Sequence, residues 1–138
     1  MTHNEVSSLT EAGKLPYISM GMPVFNGEKF IGEAIESLLA QRFTNFELII
    51  SDNASTDNTE SICREYSERD KRIRYKRQTE NKGALANFQF VLNEAVGEYF
   101  MWVACDDIWH SKFISTCVDS LMSDHEIAVV FTKFHVLS

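Results

Sequence analysis

The sequence predicts an α/β fold, with a mainly parallel sheet and helices on both faces. Short apolar runs alternate with segments whose apolar residues recur every three or four positions, giving the order β-α-β-α-β-α-β-α-β. The runs at 17–22, 46–51 and 99–104 are nearly continuous in apolar character, as strands covered on both faces are. A length of 138 residues with 44% hydrophobic content suits one compact domain and is short for two.

Residues 1–14 are polar and without period, and are expected to form a disordered leader; order is expected from about Leu15. The run 17–22 reads as a buried strand stopped by Pro23. From Gly27 to about Gln41 the period changes: Phe30, Ile31, Ala34, Ile35, Leu38 and Leu39 share one helical face. The run 46–51 is the second strand. The polar loop 52–57 follows, and Asp57 reads as the cap of the next helix, with Glu60 placed to reach back. Residues 72–76 alternate with period two. Asn81 is expected to open a helix that buries Leu85, Phe88, Leu92, Ala95 and Val96 and ends at Gly97. The strand 99–104 runs into Cys105-Asp106-Asp107. Phe113, Ile114, Cys117, Val118 and Leu121 mark a last helix, and residues 127–134 a last strand.

The chain carries 20 acidic and 13 basic residues, a net charge of −7 that repels a phosphate backbone and argues against a nucleic-acid partner. The basic residues from Arg69 to Arg77 surround one alternating strand, where they read as a solvated edge that discourages strand pairing. Cys63, Cys105 and Cys117 form no C-x-x-C pair and fall in apolar patterns, so they read as free thiols in a reducing compartment. No apolar run is long enough to cross a bilayer, and the first fifteen residues lack a signal-peptide core. The expected location is cytoplasmic, with membrane association left open for a full-length protein.

Ligands of parallel sheets bind at the carboxyl ends of the strands. That directs attention to loops 23–27, 52–57, 78–83 and 105–109. Neither G-x-G-x-x-G nor G-x-x-x-x-G-K-[ST] occurs, which disfavours a dehydrogenase or a P-loop enzyme. The loops instead carry carboxylates and amides: Asn26, Asp52, Asn53, Asp57, Asn81, Asp106 and Asp107, all acceptors or ligands for a hard cation.

Pro23-Val24-Phe25-Asn26-Gly27 with Ile35-Glu36-Ser37-Leu38-Leu39-Ala40-Gln41, then Glu47 to Asp57, then Asn81-Lys82-Gly83, then Gly97-Glu98-Tyr99 running into Asp106-Asp107, resemble the ordered signature of family 2 glycosyltransferases with the GT-A fold. The resemblance covers residues 17–135. It implies that 15–138 is the Rossmann-like nucleotide-sugar-binding half of that fold, truncated before the acceptor half. It further implies that Pro23, Val24 and Asn26 hold the nucleotide and that Asp52 accepts a charge-assisted hydrogen bond from a uracil ring N–H. Asn81 and Gly83 sit where a helix N-terminus would face the pyrophosphate. Asp106 matches the last aspartate of the family's Asp-x-Asp metal motif. With Asp107 it would bind a Mg²⁺ or Mn²⁺ ion on the sugar diphosphate. The first aspartate of that motif is replaced by Ala104. The plain alternative is that Asp106 and Asp107 only stop a strand and start a helix.

The implied reaction is inverting transfer of a sugar from a nucleotide diphosphate, with UDP expected, to a hydroxyl of an acceptor glycan or lipid-linked sugar, in cell-surface polysaccharide biosynthesis. The catalytic base is expected beyond Ser138, so the chain itself is expected to bind donor only, and its open sheet edge suggests a homo-oligomer. Two rival readings stand beside this. A nucleotidyltransferase needs a glycine- and basic-rich first loop, and residues 23–29 hold one glycine and one lysine. A noncatalytic nucleotide-binding module needs no base at all.

Overall fold

A computed structural model of the chain describes residues 15–133. The leader expected over 1–14 and position 134 of the last expected strand lie outside the described residues. Strands and helices alternate as β1 (Ile18–Val24), α1 (Ile31–Leu39), β2 (Phe46–Asp52), α2 (Thr59–Arg69), β3 (Ile73–Arg77), α3 (Ala84–Glu94), β4 (Tyr99–Trp102) and α4 (Phe113–Ser123). The sheet runs β3-β2-β1-β4 with every pair parallel.

Strand alternation gives the sheet two different faces. Met20, Met22, Val24, Leu48 and Ile50 point to one side, where they are buried with Ile31, Ile35 and Leu38 of α1, Cys63 of α2, and Ile114 and Val118 of α4. Each such side chain contributes about 1.5–3 kcal/mol by leaving water. The opposite face is covered by α3, because a methyl group at Gly21 would meet Val91 Cγ2 at 2.6 Å. This face is polar. The Ser19 hydroxyl donates to Glu47 at 2.6 Å, the Val96 N–H donates to the same carboxylate, and Arg74 joins Glu47 (2.8 Å) to Glu94 of α3 (3.1 Å).

That polarity overturns the expected face of α3. Leu85, Phe88, Leu92 and Val96 are exposed, Leu85 by 84%, while Asn87 and Val91 face the sheet. Asn87 exchanges hydrogen bonds with the hydroxyl and carbonyl of Ser51 and reaches the Val24 carbonyl, partners that an apolar contact would leave buried and unsatisfied. Pro23 also departs from expectation by lying within β1. Its ring nitrogen faces the β4 side, as Gly21 does in accepting from Val103 N–H, but β4 has ended by then and no ladder bond is lost.

Two helices start later than expected. The chain turns over Gly27, whose carbonyl accepts from both Phe30 and Ile31, before α1 begins, and α3 begins at Ala84 rather than at Asn81. Glu60 pairs with Arg64 and Arg77 instead of reaching back to the start of α2. The strand expected over 127–134 is not formed in its described part. Residues 127–133 have no regular structure, and Val129 and Phe131 are exposed. An apolar run makes a strand only where a ladder partner exists, and no described strand pairs with this segment. The three cysteines are free, and burial pushes the Cys63 thiol up to about 12. Among the described residues no helix is long and apolar enough to cross a membrane.

Candidate functional site

The loops at the carboxyl ends of β1 and β2 are stitched into one unit. Asn26 adopts φ 51° and Ala54 φ 61°, left-handed conformations in which asparagine is tolerated better than most residues. The Asn26 N–H donates to Ser55 Oγ (2.9 Å), and its side-chain oxygen accepts from the Thr56 N–H (2.8 Å). The Gly27 N–H donates to Thr59 Oγ1. Asp57 accepts from the Thr59 N–H and hydroxyl on one oxygen and from the Glu28 N–H on the other. Burial raises the Asp57 pKa, but these hydrogen bonds outweigh it and hold the carboxyl below its ordinary value. Gly27 packs directly on the loop after β4: a methyl there would meet Cys105 Sγ at 3.3 Å.

Beside this unit, on the α3 face, lies a cleft of about 190 Å³ lined by Pro23, Val24, Phe25, Asn53, Asn81, Ala84, Asn87 and Phe88. Its walls are mainly apolar, and its polar groups are three amides. Asn53 donates to the Asn81 side-chain oxygen (2.8 Å) and the Gly83 carbonyl, and accepts from the Lys82 N–H. Asn81 also accepts from the Gly83 N–H. Gly83 sits at φ 89°, where a side chain would be strained although nothing lies within 4 Å of the place a Cβ would occupy. It precedes α3, whose first turn therefore opens at the rim of the cleft with no side-chain cap.

The structure thus brings Pro23, Val24 and Asn81 to the cleft and sets Gly83 at its rim. Asn26 is bonded to Thr56 in the stitched loops. Asp52 is placed elsewhere: it is fully buried on the α2 side of the sheet, and its oxygens accept from the Ser55 N–H (2.8 Å), the Tyr75 hydroxyl (2.7 Å) and Arg77 (3.3 Å). Burial, and then the bond to Asp52, push the Tyr75 phenol well above its usual value. Phe25, Ala84, Asn87 and Phe88 line the cleft without being named as candidate site residues by sequence, and Asn53, named only among the loop amides, lines it too. The missed signal is the strand alternation itself, which sends Asn53 to the side opposite Asp52.

Asp106 and Asp107 follow β4 in an exposed turn and make no hydrogen bond or ion pair with another described residue. Burial, and then the charge of Asp106, raise the neighbouring Cys105 thiol. Among the described residues no group of three or more His, Cys, Asp or Glu side chains comes together around a metal position. The chain therefore offers a carboxylate pair, which fits a hard cation that takes its remaining ligands from phosphate and water rather than from a protein cage.

Residues 19–136 match the sequence profile of Glycosyl transferase family 2. The chain belongs to this family. Among family relatives it is 38% identical over 100 residues to the glycosyltransferase GlyG of Streptococcus pneumoniae, covering 72% of this chain and 33% of GlyG. It is 31% identical over 125 residues to an uncharacterized glycosyltransferase of Rickettsia felis, covering 88% of this chain and 20% of that protein. The crystal structure of S. aureus TarS in complex with UDP-GlcNAc superposes with a TM-score of 0.73 at 28% identity, over 78% of this chain and 32% of the TarS chain. The four-stranded parallel sheet and its helices have the GT-A architecture, and the family 2 chain described here spans a third or less of these proteins.

Proposed function

We propose that this family 2 chain binds the nucleotide-diphosphate end of a sugar donor, with UDP as the nucleotide, for inverting transfer to a hydroxyl of a glycan or lipid-linked sugar in the cytoplasm. The observation that carries the reading is the cleft at the ends of β1 and β2. It joins the apolar walls of Pro23, Val24, Phe25 and Phe88, suited to a flat base, to amides that offer both donors and acceptors to a ring edge. The complex of TarS with UDP-GlcNAc supports the choice of nucleotide. In this reading Asn53 and Asn81 meet the base, with the role expected for Asp52 passing to Asn53, while Asp52 fixes the loop from beneath. Asn26 keeps the two loops in register, and Gly83 lets the start of α3 approach the diphosphate with its free N–H groups.

Asp106 and Asp107 would hold Mg²⁺ or Mn²⁺, which when bound offsets the charge of the departing diphosphate. With an alanine at position 104 the protein contributes no third carboxylate there. No described residue is assigned as the base that takes the acceptor proton.

Calorimetry with UDP, GDP and ADP, each in Mn²⁺ and in EDTA, tests the reading. UDP should bind best. Asn53→Ala should weaken it by about tenfold in both conditions, the effect of losing about 1.4 kcal/mol. Asp106→Asn should remove only the gain that Mn²⁺ gives. Equal affinity for the three nucleotides, or wild-type binding by both variants, would sink the assignment.

A further inference from the structure

We infer that Gln41 is a positioning residue for the Asp106 and Asp107 carboxylates, clamping from the end of α1 the segment that carries them. The inference rests on the donor-site reading above.

Gln41 lies just past α1 with only 3% of its surface exposed. Its amide makes three hydrogen bonds. The nitrogen donates to the Ser37 carbonyl (3.2 Å) and to the His110 carbonyl (2.8 Å), and the oxygen accepts from the Ile114 N–H (3.1 Å). Two of these bonds leave the helix and cross to a segment some seventy positions away. Ser37 and Arg42 add two more bonds to the same segment: the Trp109 N–H donates to Ser37 Oγ (3.2 Å), and the Arg42 N–H donates to the Ser111 carbonyl (2.9 Å). Ser37 in the last turn of α1, with Gln41 and Arg42 just past it, therefore grips residues 109–114 at four points.

Residues 106–108 are exposed, and the two carboxylates have no partner of their own among the described residues. Their place is set by what holds the chain on either side. Before them Cys105 sits beneath Gly27 at the end of β4; after them comes the grip of α1. A methionine or leucine would fill the space of Gln41, but only an amide supplies both the donor that the His110 carbonyl needs and the acceptor that the Ile114 N–H needs. A buried polar group held by several hydrogen bonds fixes its surroundings, and displacing a ligand-binding group by about 1 Å is enough to weaken its action.

The test uses the whole chain and Gln41→Met, which keeps the volume and deletes all three bonds. Residue-resolved hydrogen exchange should rise at Ile114, which loses its acceptor directly. It should also rise by about tenfold or more at Trp109, whose own acceptor on Ser37 is untouched, because the segment is released as a unit. Calorimetry of UDP supplies the second readout. The affinity gain due to Mn²⁺ should fall by about fivefold while affinity in EDTA stays within about twofold of wild type. Unchanged protection at Trp109, or an undiminished Mn²⁺ gain, overturns the inference. Should Gln41→Met fail to fold, Ser37→Ala removes one point of the same grip and should cut the Mn²⁺ gain by about twofold; no change there overturns it equally. A wild-type chain with no Mn²⁺ gain at all overturns the donor-site reading itself, a result seen without any Gln41 variant.

Discussion

Asp57 joins two loops with a single carboxylate: one oxygen holds the first turn of α2 through Thr59, the other holds the turn before α1 through Glu28. Its folded-state pKa lies below the ordinary value of 3.8. The stabilisation it brings is therefore complete above the ordinary carboxylate value and is lost as pH falls through the lower, folded value. Asp57→Ala should cost about 1 kcal/mol at neutral pH, as the loss of a helix-capping side chain does. In urea melts the gap to wild type should narrow on acidification below about pH 4. A gap that stays constant down to pH 2 would mean that the carboxylate charge plays no part. The same scale shows where reading residue types reaches its limit. Asp52 and Asn53 are adjacent polar residues at a strand end, and the family resemblance singles out the carboxylate. The backbone points them to opposite faces, and the half-buried Tyr75 and Arg77 that bond Asp52 are contributed by a different strand.

At the scale of elements, β1, β2 and α4 were legible because their apolar patterns match the surfaces that they bury. Helix α3 was legible as a helix but not in its orientation, since the period of Leu85, Phe88 and Leu92 reports an apolar stripe and says nothing about what meets it. The surface beneath combines Gly21 and Ile49 with Ser51 and the Ser19, Glu47 and Arg74 network, and only the folded sheet assembles that surface. The orientation makes a comparison of two variants decisive. Val91→Ala should destabilise by about 2 kcal/mol, because Val91 is fully buried against Gly21. Leu85→Ala removes more carbon yet should stay within about 0.5 kcal/mol of wild type. Thermal denaturation of the pair settles it, and the reverse ranking would mean that α3 packs on its leucine face. The described part of the strand expected over 127–134 is not formed for a related reason: apolar content is a property of one segment, whereas a ladder requires two.

Across the whole molecule, Leu85, Phe88, Leu92, Val96 and Trp102 expose apolar surface, and the β4 edge strand that carries Trp102 has no neighbour on its outer side among the described strands. The rings of Phe88 and Trp102 lie 6.3 Å apart, so part of that surface is continuous. Exposed apolar surface beside an unpaired strand favours association. Light scattering should find dimers or larger species of the 138-residue chain at micromolar concentration, and the double substitution Leu85→Glu and Leu92→Glu should return it to monomer. A monodisperse wild-type monomer would refute this. The sheet order bears on how the chain emerges during synthesis. β1 is flanked by β2 and β4, but Glu47, which bonds the Ser19 hydroxyl, follows it by 28 positions, whereas Gly97, which bonds the same hydroxyl, follows by 78. On the ribosome the future central strand is therefore an edge strand for as long as it takes to make the intervening chain. Throughout that interval Pro23 faces the open side without an N–H to offer, so a residue of little consequence to the finished sheet guards the nascent one against pairing with the wrong strand.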